Sequence, residues 1–353
     1  MNKLAMTGLD HKGASLGIRE KFAIPKEKAK KILALLKDNR MIAGCVILST
    51  CNRTELYASV HENGEFFLSK TLCAALGMDY AGYESCLTER AGDYVMEHLC
   101  RVASGLDSQI MGDAQIITQV REALELSREQ NSTDNFLETM FRLSIQAAKV
   151  IKTNIFSGAL GLSSVPEKTI EKLKTMCSLS GKNALVIGNG KIGRLIAELL
   201  IRENVRVTIT LRSHNKYKQG GFKIPNKADT ISYDERYRAL EKADIVISAT
   251  TSPHLTLCEN EMNSLKMSAL KKDEKIIFDL AVPRDVEPSV KDLPGVTLLT
   301  IDDISGETPR LPPESVLMIE NIIAEHIAKY RQWQNWRPLP GKITACHTAA
   351  DRL

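Results

Sequence analysis

Residues 183–212, NALVIGNGKIGRLIAELLIRENVRVTITLR, carry the clearest structural signal in the chain. An apolar strand, NALVIG, runs into Gly188-Asn-Gly190-Lys-Ile-Gly193, and an amphipathic helix and a second apolar strand follow. A G-x-G-x-x-G motif is weak evidence alone, but between a strand and a helix it indicates a dinucleotide-binding turn. Its glycines permit a tight turn, close approach of a pyrophosphate and close helix–strand packing.

The glycine turn and the first turn of its helix are therefore the predicted cofactor-binding segment. The helix N-terminus offers unpaired N–H groups and a positive dipole to the phosphates. The residues assigned to this segment are Gly188, Asn189, Gly190, Lys191, Ile192 and Gly193. The alternative is a glycine-rich turn that binds nothing.

The end of the second strand indicates which dinucleotide is bound. Sites for NAD usually have an acidic residue there, whereas this strand continues into Arg212, Ser213 and Lys216. Because two basic side chains without an acid favour a ribose 2′-phosphate, we predict NADP(H) as the cofactor. The alternative is that Arg212 and Lys216 are solvated surface residues.

Three further apolar runs extend this pattern. ADIVISAT, KIIFDLAV and VTLLTI are spaced as strands of a parallel sheet with helical crossovers. We predict a Rossmann-type, doubly wound NADP(H) domain over residues 157–306.

The first half of the chain has a different pattern of apolar residues. This pattern predicts an α+β catalytic domain over residues 1–156. KLAMTGLD is typical of a strand, and EKFAIPKEKAKKILALLKDN predicts one helix. CVILST and ELYASV predict two strands around a turn that holds Cys51. From about residue 65 onward the spacing is helical.

Residues 307–353 form a C-terminal segment dominated by one long helix. After the linker SGETPRLPPES, the helix SVLMIENIIAEHIAKYRQWQNW carries an apolar stripe. The stripe consists of Val316, Ile319, Ile323, Ile327 and Tyr330. Such a stripe predicts packing on a neighbour, either within the chain or on a second subunit. The full chain is thus predicted to be a multidomain protein of α/β and α+β class.

Composition sets broad limits on function. A net charge of +4, from 47 basic and 43 acidic residues, neither requires nor excludes a nucleic-acid partner. Eight scattered cysteines without a C-x-x-C predict free thiols, with no metal site and no disulfide framework. No secretory signal and no apolar run of membrane length is present, so we expect a cytoplasmic protein without membrane contact.

Cys51 stands out among the cysteines because of its surroundings, VILSTCNRTELY (46–57). The turn should expose it, and the nearby Arg53 should lower its pKa. A thiolate can hold an acyl group as a thioester, which a hydride from the cofactor then reduces to an aldehyde. The alternative is an ordinary half-buried thiol.

Five stretches resemble the glutamyl-tRNA reductase family, in its order and at its spacing. They are GLDHKGASLGIREKFAI (8–24), STCNRTELY (49–57), HLCRVASGLDSQIMGDAQIITQV (98–120), LVIGNGKIG (185–193) and IFDLAVPRDVEPSV (277–290). The resemblance implies NADPH-dependent reduction of glutamyl-tRNA to glutamate-1-semialdehyde. This is the first step of the five-carbon route to tetrapyrroles and haem.

The resemblance also implies roles for individual residues. Cys51 would be the nucleophile, with His98 polarising the carbonyl or handling a proton. Thr50, Asn52 and Arg53 would line the pocket, with Arg53 pairing the glutamate carboxylate. Further substrate contacts would come from Ser108, Asp113 and Gln115. The alternatives are a core histidine for His98, a structural ion pair with Glu55 for Arg53, and a helix N-cap for Asp113, which stands where the family usually has Glu.

The C-terminus departs from the family, whose members usually carry a longer helical dimerisation domain. The chain is expected either to dimerise through a reduced surface or to be a monomer. Glutamate-1-semialdehyde aminotransferase, the next enzyme of the route, is a partner that the resemblance implies.

Two other functions stay open from the sequence. One is an NADP-dependent dehydrogenase of the shikimate-dehydrogenase type, which would act on free small molecules and would not use Cys51. The other is a non-catalytic regulator that binds NADP or tRNA.

Overall fold

A computed structural model describes residues 2–61, 66–156, 164–211, 224–252, 254–265, 274–304 and 310–336. The strands are β1 (Lys3–Asp10), β2 (Ile42–Ser49), β3 (Arg53–Val60), β4 (Thr88–Ala91), β5 (Asn183–Ile187), β6 (Arg206–Leu211), β7 (Asp229–Ser232), β8 (Ile245–Ser248), β9 (Lys275–Asp279) and β10 (Val296–Thr300). The α-helices are α1 (Leu16–Phe22), α2 (Lys26–Lys37), α3 (Leu68–Leu76), α4 (Asp93–Ser104), α5 (Ile116–Glu129), α6 (Asn135–Ile151), α7 (Val165–Met176), α8 (Lys191–Arg202), α9 (Arg236–Lys242), α10 (Glu259–Ser264) and α11 (Pro313–Asn335).

The first half of the chain forms an antiparallel sheet with the strand order β2-β3-β1-β4. One face carries α1, α2 and α3, whose Phe22, Leu33 and Leu72 are fully buried there. The other face carries α4, α5 and α6, with Tyr57 of β3 packed edge-on against Phe141. Because both faces are covered, β3 is buried along nearly its whole length. The predicted α+β arrangement is confirmed.

Two details of this half differ from the prediction. The single helix expected over residues 20–39 is wrong, because the chain leaves the helical conformation at Ala23 and Pro25 and starts again as α2. A proline disfavours the helical conformation of the residue before it, which accounts for the break. In addition, β4 lies in a region expected to be helical. It is short and largely exposed, and it pairs with the edge of β1.

The second half forms a parallel sheet with the strand order β10-β9-β8-β5-β6-β7. Counted from β5, this is the order 3-2-1-4-5-6 of dinucleotide-binding sheets. The strand order reverses between β5 and β8, and the glycine turn follows β5 at that point. The predicted doubly wound fold is confirmed, with the short polar strand β7 as an addition.

Helix α11 returns to the first half and packs on α4 and α6. Ile319, Ile323 and Tyr330 are buried against them, so most of the predicted stripe contacts the same chain. The prediction that Val316 belongs to the buried stripe is wrong, because Val316 is 43% exposed. The remainder of the expected dimerisation region, from residue 337 onward, lies outside the described residues. Within the described ranges, no helix combines the length and apolarity needed to cross a bilayer.

Two leucines of α2 offer a matched test of the core. Leu33 is fully buried and Leu35 is 61% exposed, although both lie in the same helix. Leu33→Ala should lower the free energy of unfolding by about 2–5 kcal/mol because it leaves a cavity. Leu35→Ala should change it by less than about 0.5 kcal/mol. Urea unfolding followed by the fluorescence of Trp333 and Trp336 measures both, and equal losses would contradict the assigned packing.

Candidate active site

Cys51 occupies the three-residue loop (50–52) between β2 and β3. The Thr50 backbone amide donates to the Arg53 carbonyl at 2.8 Å, which closes the loop. The Thr50 hydroxyl accepts the backbone amides of Asn52 and Arg53, each at 3.2 Å. Cys51 is half-buried and packs against the apolar cluster of the parallel sheet. The loop therefore presents the thiol to the other half of the molecule.

Arg19 of α1 is the cation at this loop. One of its terminal nitrogens donates to the Cys51 carbonyl at 2.9 Å. Burial and the charge of Asp113 raise the pKa of the Cys51 thiol and Arg19 opposes them, which leaves this pKa at about 11. The expected lowering of this pKa by Arg53 is wrong, because the Arg53 guanidinium is engaged elsewhere.

Arg53 belongs to a buried polar cluster on the α4 side of β3. Its Nη1 donates to Glu55 Oε1 at 2.6 Å, and its Nη2 donates to the Asp107 carbonyl at 2.5 Å. His98 Nε2 lies 2.8 Å from the same Glu55 oxygen, and Tyr57 donates to the other oxygen at 2.6 Å. The structure thus contains the Arg53–Glu55 ion pair that the sequence left as an alternative.

Glu55 holds this cluster together as its shared acceptor. Burial alone would raise its pKa, but Arg53 and His98 hold the pKa of Glu55 well below its usual range. Burial and the Glu55 charge in turn raise the pKa of Tyr57. Tyr57 was missed from the sequence, and Glu55 was named there only as the alternative partner of Arg53. Their signal is the alternation of Arg53, Glu55 and Tyr57, which puts the three side chains on one face of the strand.

A cavity of about 710 Å³ opens beside this cluster. His98 and Asp107 form part of its wall, together with Lys12, Arg90 and Arg101. His98, which is 6% exposed, therefore lies between the buried cluster and the wall of this cavity.

The predicted second substrate segment is folded around two glycines after α4. Gly112 donates its amide to the Gly105 carbonyl at 2.9 Å, and both glycines have positive φ. A side chain at Gly105 would lie 3.0 Å from the Asp113 amide, so this close return requires glycine. Ser108 lies in this loop and Gln115 at the start of α5, and both are half-buried.

Asp113 is close enough to the thiol to influence its pKa. One carboxylate oxygen accepts the Gln115 backbone amide at 3.0 Å, although Gln115 itself is the N-cap of α5. Burial raises the pKa of Asp113, and the bond from Gln115 opposes this. Asp113 therefore does not occupy the N-cap position, and its charge bears on Cys51.

The glycine turn lies at the switch point of the parallel sheet. Gly188 has a φ of +102°, and a side chain there would lie 2.7 Å from the Ala249 carbonyl. A side chain at Gly193 would collide with the Gly188 carbonyl, whereas nothing lies within 4 Å of the corresponding position at Gly190. The turn thus packs closely on its inner side and is open at Gly190, as a bound pyrophosphate requires.

A cavity of about 260 Å³ adjoins this turn. It is lined by Gly188, Asn189, Gly190, Thr210, Tyr233, Ala249, Thr250 and Thr251. Lys191 and Ile192 begin α8 beside it. Arg212, Ser213 and Lys216, the predicted 2′-phosphate contacts, lie outside the described residues. The described part fits the dinucleotide site that the motif predicts.

The loop after β9 supports the floor of this cavity through Asp285, which the sequence did not single out. Asp285 accepts the Thr250 amide at 2.8 Å, the Thr250 hydroxyl at 2.5 Å and the Ser248 hydroxyl at 2.7 Å. Nearby Asp279 accepts the amides of Ala281 and Val286. Burial, joined by the charge of Asp285, raises the pKa of Asp279 to about 7.

The two sites meet between the halves of the chain. A cavity of about 500 Å³ is lined by Leu48 and Ser49 of β2, by residues of α2 and α5, and by Thr251. Thr251 also lines the glycine-turn cavity. Thr251 thus lines both cavities, and the end of β2 that leads into the thiol loop lines one of them. Among the residues described, no cluster of His, Cys, Asp and Glu could hold a metal ion.

Comparison with known proteins gives a consistent result for both halves. The family profile "Glutamyl-tRNAGlu reductase, N-terminal domain" matches residues 7–155, and "Shikimate / quinate 5-dehydrogenase" matches residues 170–307. The glutamyl-tRNA reductase of Alkaliphilus oremlandii is 40% identical, with 94% of this chain and 96% of that protein aligned. That of Acetivibrio thermocellus is 41% identical, with 94% and 97% aligned. A solved glutamyl-tRNA reductase from Methanopyrus kandleri is 26% identical over 95% of this chain and 81% of its own, with a TM-score of 0.47.

The environment of Cys51 makes its reactivity dependent on pH. Because its pKa is about 11, alkylation of Cys51 by iodoacetamide should rise steeply throughout the range from pH 7 to pH 10. Asp113→Asn should lower the midpoint of this rise, since it removes a charge that raises the pKa. Asp229→Asn, at the distant start of β7, serves as the control. Mass spectrometry of the peptide that contains Cys51 measures the rate, and a midpoint near the ordinary value of about 8.5 would contradict the assignment.

Proposed function

The chain belongs to the glutamyl-tRNA reductase family, and on this premise we propose that it reduces glutamyl-tRNA with NADPH to glutamate-1-semialdehyde through a thioester on Cys51. The observation that carries the thioester step is the position of Cys51. Its loop packs against the apolar cluster of the parallel sheet, beside the boundary that leads to the glycine turn. Formation of this product is the first step of the five-carbon route to tetrapyrroles and haem.

In the first step, Cys51 Sγ attacks the carbonyl carbon of the glutamyl ester. The C–S bond forms, the ester C–O bond breaks, and the tRNA leaves with its terminal ribose hydroxyl protonated. The thiol must lose its proton for this, although its pKa is about 11. A glutamyl ammonium group paired with Asp113 would neutralise one of the charges that raise this pKa. The substrate itself would thereby favour the thiolate.

Arg53 is the proposed partner of the substrate carboxylate. A guanidinium can bind a carboxylate through two parallel hydrogen bonds, which would select glutamate over glutamine. Both terminal nitrogens already have partners, Glu55 and the Asp107 carbonyl. The substrate would therefore have to replace or share one of these contacts. Thr50, Asn52, Ser108 and Gln115 are proposed to line the remainder of the pocket.

His98 is the proposed proton carrier. Its Nε2 is 2.8 Å from Glu55, and it forms part of the wall of the polar cavity. A carboxylate partner orients an imidazole for proton transfer. His98 could thus deliver a proton to the ribose oxygen of the departing tRNA, or to the carbonyl oxygen during reduction.

The second step takes place at the boundary of the two halves. When bound, NADPH supplies the hydride that reduces the thioester carbon. The glycine turn would hold the pyrophosphate at Gly190, and Arg212, Ser213 and Lys216 are proposed to bind the 2′-phosphate. The thiohemiacetal on Cys51 then collapses: its hydroxyl proton passes to the departing sulfur, the C=O bond re-forms and the C–S bond breaks. This step releases the aldehyde and returns the free thiol.

A second candidate function is a dehydrogenase that acts on a free hydroxy acid, because the profile matching residues 170–307 carries a shikimate and quinate dehydrogenase description. That function would leave Cys51 without a role. Transfer of the aldehyde to an aminotransferase, and dimer formation through the C-terminal segment, are further proposals. Light scattering tests the dimer.

Replacement of the nucleophile separates these functions. Cys51→Ser should abolish NADPH oxidation with glutamyl-tRNA in a single turnover and should leave NADPH binding intact. Cys177→Ser, another half-buried thiol against the same apolar cluster, should retain activity. Substantial reduction by Cys51→Ser would refute the thioester, and oxidation of shikimate-like acids without tRNA would favour the second candidate.

Cofactor preference tests the basic residues after β6. Arg212→Ala should raise the Michaelis constant for NADPH about 10- to 100-fold, because a hydrogen bond to a charged group contributes about 1.5–3 kcal/mol. The constant for NADH should change little. Arg202→Ala, on the surface at the end of α8, is the control. A wild-type Michaelis constant for NADH no worse than that for NADPH would contradict the preference for NADPH.

A further inference from the structure

We propose that Arg19 and Glu20 of α1 are positioning residues that hold the dinucleotide-binding half of the chain against the Cys51 loop during reduction. This inference rests on the function proposed above. Each residue makes an ion pair with a loop at the carboxyl edge of the parallel sheet, Arg19 with Asp302 and Glu20 with Arg284. We refer to these four residues as the α1 clasp. The reduction step requires the clasp, and acylation of Cys51 does not.

The first arm of the clasp joins the thiol loop to the end of β10. Arg19 Nη2 donates to both carboxylate oxygens of Asp302, at 2.5 and 2.6 Å. Its Nη1 donates to the Cys51 carbonyl at 2.9 Å, and its side chain is only 3% exposed. One buried guanidinium therefore contacts both the backbone of the nucleophile and the other half of the chain.

The second arm leads to the cofactor cavity. Glu20 accepts three hydrogen bonds from Arg284: from the backbone amide at 2.8 Å, from Nε at 2.7 Å and from Nη2 at 2.6 Å. The next residue, Asp285, binds the amide and the hydroxyl of Thr250, which lines the cavity beside the glycine turn. The position of α1 is thus linked to the wall of the dinucleotide site through two adjacent residues.

Geometry explains why reduction should be the sensitive step. The reacting atoms must approach within about 3–3.5 Å, and a misplacement of about 1 Å can cost on the order of 100-fold in rate. Every residue assigned to acylation belongs to the first half of the chain. Acylation can therefore proceed even when the second half is not exactly positioned against the first. Hydride transfer requires that the two halves be held in the correct relative position.

The Glu20–Arg284 arm allows a clean experiment, because neither side chain contacts the Cys51 loop in the described structure. The variants are Glu20→Arg, Arg284→Glu and the double charge exchange. Lys174→Glu and Glu203→Lys, with their double exchange, form the matched control. They reverse an exposed ion pair that lies entirely within the second half. Thermal unfolding confirms that each variant is folded.

Three quantities are measured: release of tRNA by Cys51 acylation without NADPH, reduction in a single turnover with NADPH, and the NADPH dissociation constant. Each single variant should slow reduction by at least about 30-fold, with acylation and NADPH binding within about 3-fold of wild type. The double exchange should recover at least about 10-fold of the loss, since it restores the attraction. Asp302→Asn should lose reduction in the same selective manner.

Two results would overturn the clasp: acylation that falls in parallel with reduction, or a double exchange no better than its single variants. Small-angle scattering tests the clasp without chemistry. The radius of gyration should rise in Glu20→Arg and return in the double exchange, and no rise would also refute the clasp. If wild type does not reduce glutamyl-tRNA, the proposed function fails, and scattering alone decides about the clasp.

Discussion

In the proposed mechanism a hydride is transferred to an acyl group on a protein thiol, which is possible only over a few ångström, and the arrangement of the chain fits this constraint. Two sheets of different type meet at the ends of their strands. The β2–β3 loop carries the thiol, and the carboxyl edge of the parallel sheet carries the dinucleotide turn. At this boundary, Arg19 and Glu20 of α1 pair with the loops after β10 and β9. Their ion pairs fix the relative position of two otherwise independent cores.

The site combines carboxyl groups in contrasting environments. Glu55 is surrounded by donors, which hold its pKa well below the usual range and keep it ionised. Asp279 is buried close to Asp285, and its pKa rises to about 7. Burial raises the pKa of Asp113, and the charge of Asp113 raises the pKa of the Cys51 thiol. Environment, rather than residue type, therefore assigns these carboxyl groups to orientation, support and control of the nucleophile.

The parts that could be predicted from the sequence are those with a local pattern. The apolar runs and the glycine turn predicted the doubly wound sheet, because such runs have few other uses. Strands β4 and β7 were missed because each has only four residues and is largely polar. The position of Cys51 in a loop was predictable, but its electrostatic partner was not. Arg53 is adjacent in sequence, yet its position in β3 directs it to Glu55 and α4. Arg19 is distant in sequence and reaches the loop only through the packing of α1.

The same limitation applies to the contacts of α1, which no local sequence pattern predicts. Its residues lie within the stretch 8–24 that resembles the family, but no local pattern pairs Arg19 with Asp302, which is 283 positions away. Successive residues of a helix project about 100° apart, so neighbouring side chains can address different partners. In α1, Arg19 accordingly donates hydrogen bonds to the thiol loop and to Asp302, whereas Glu20 accepts them from Arg284. Because the two side chains carry opposite charges, each matches only one of the two loops. A helix of seven residues can therefore fix the orientation of the second sheet as well as its distance from the thiol.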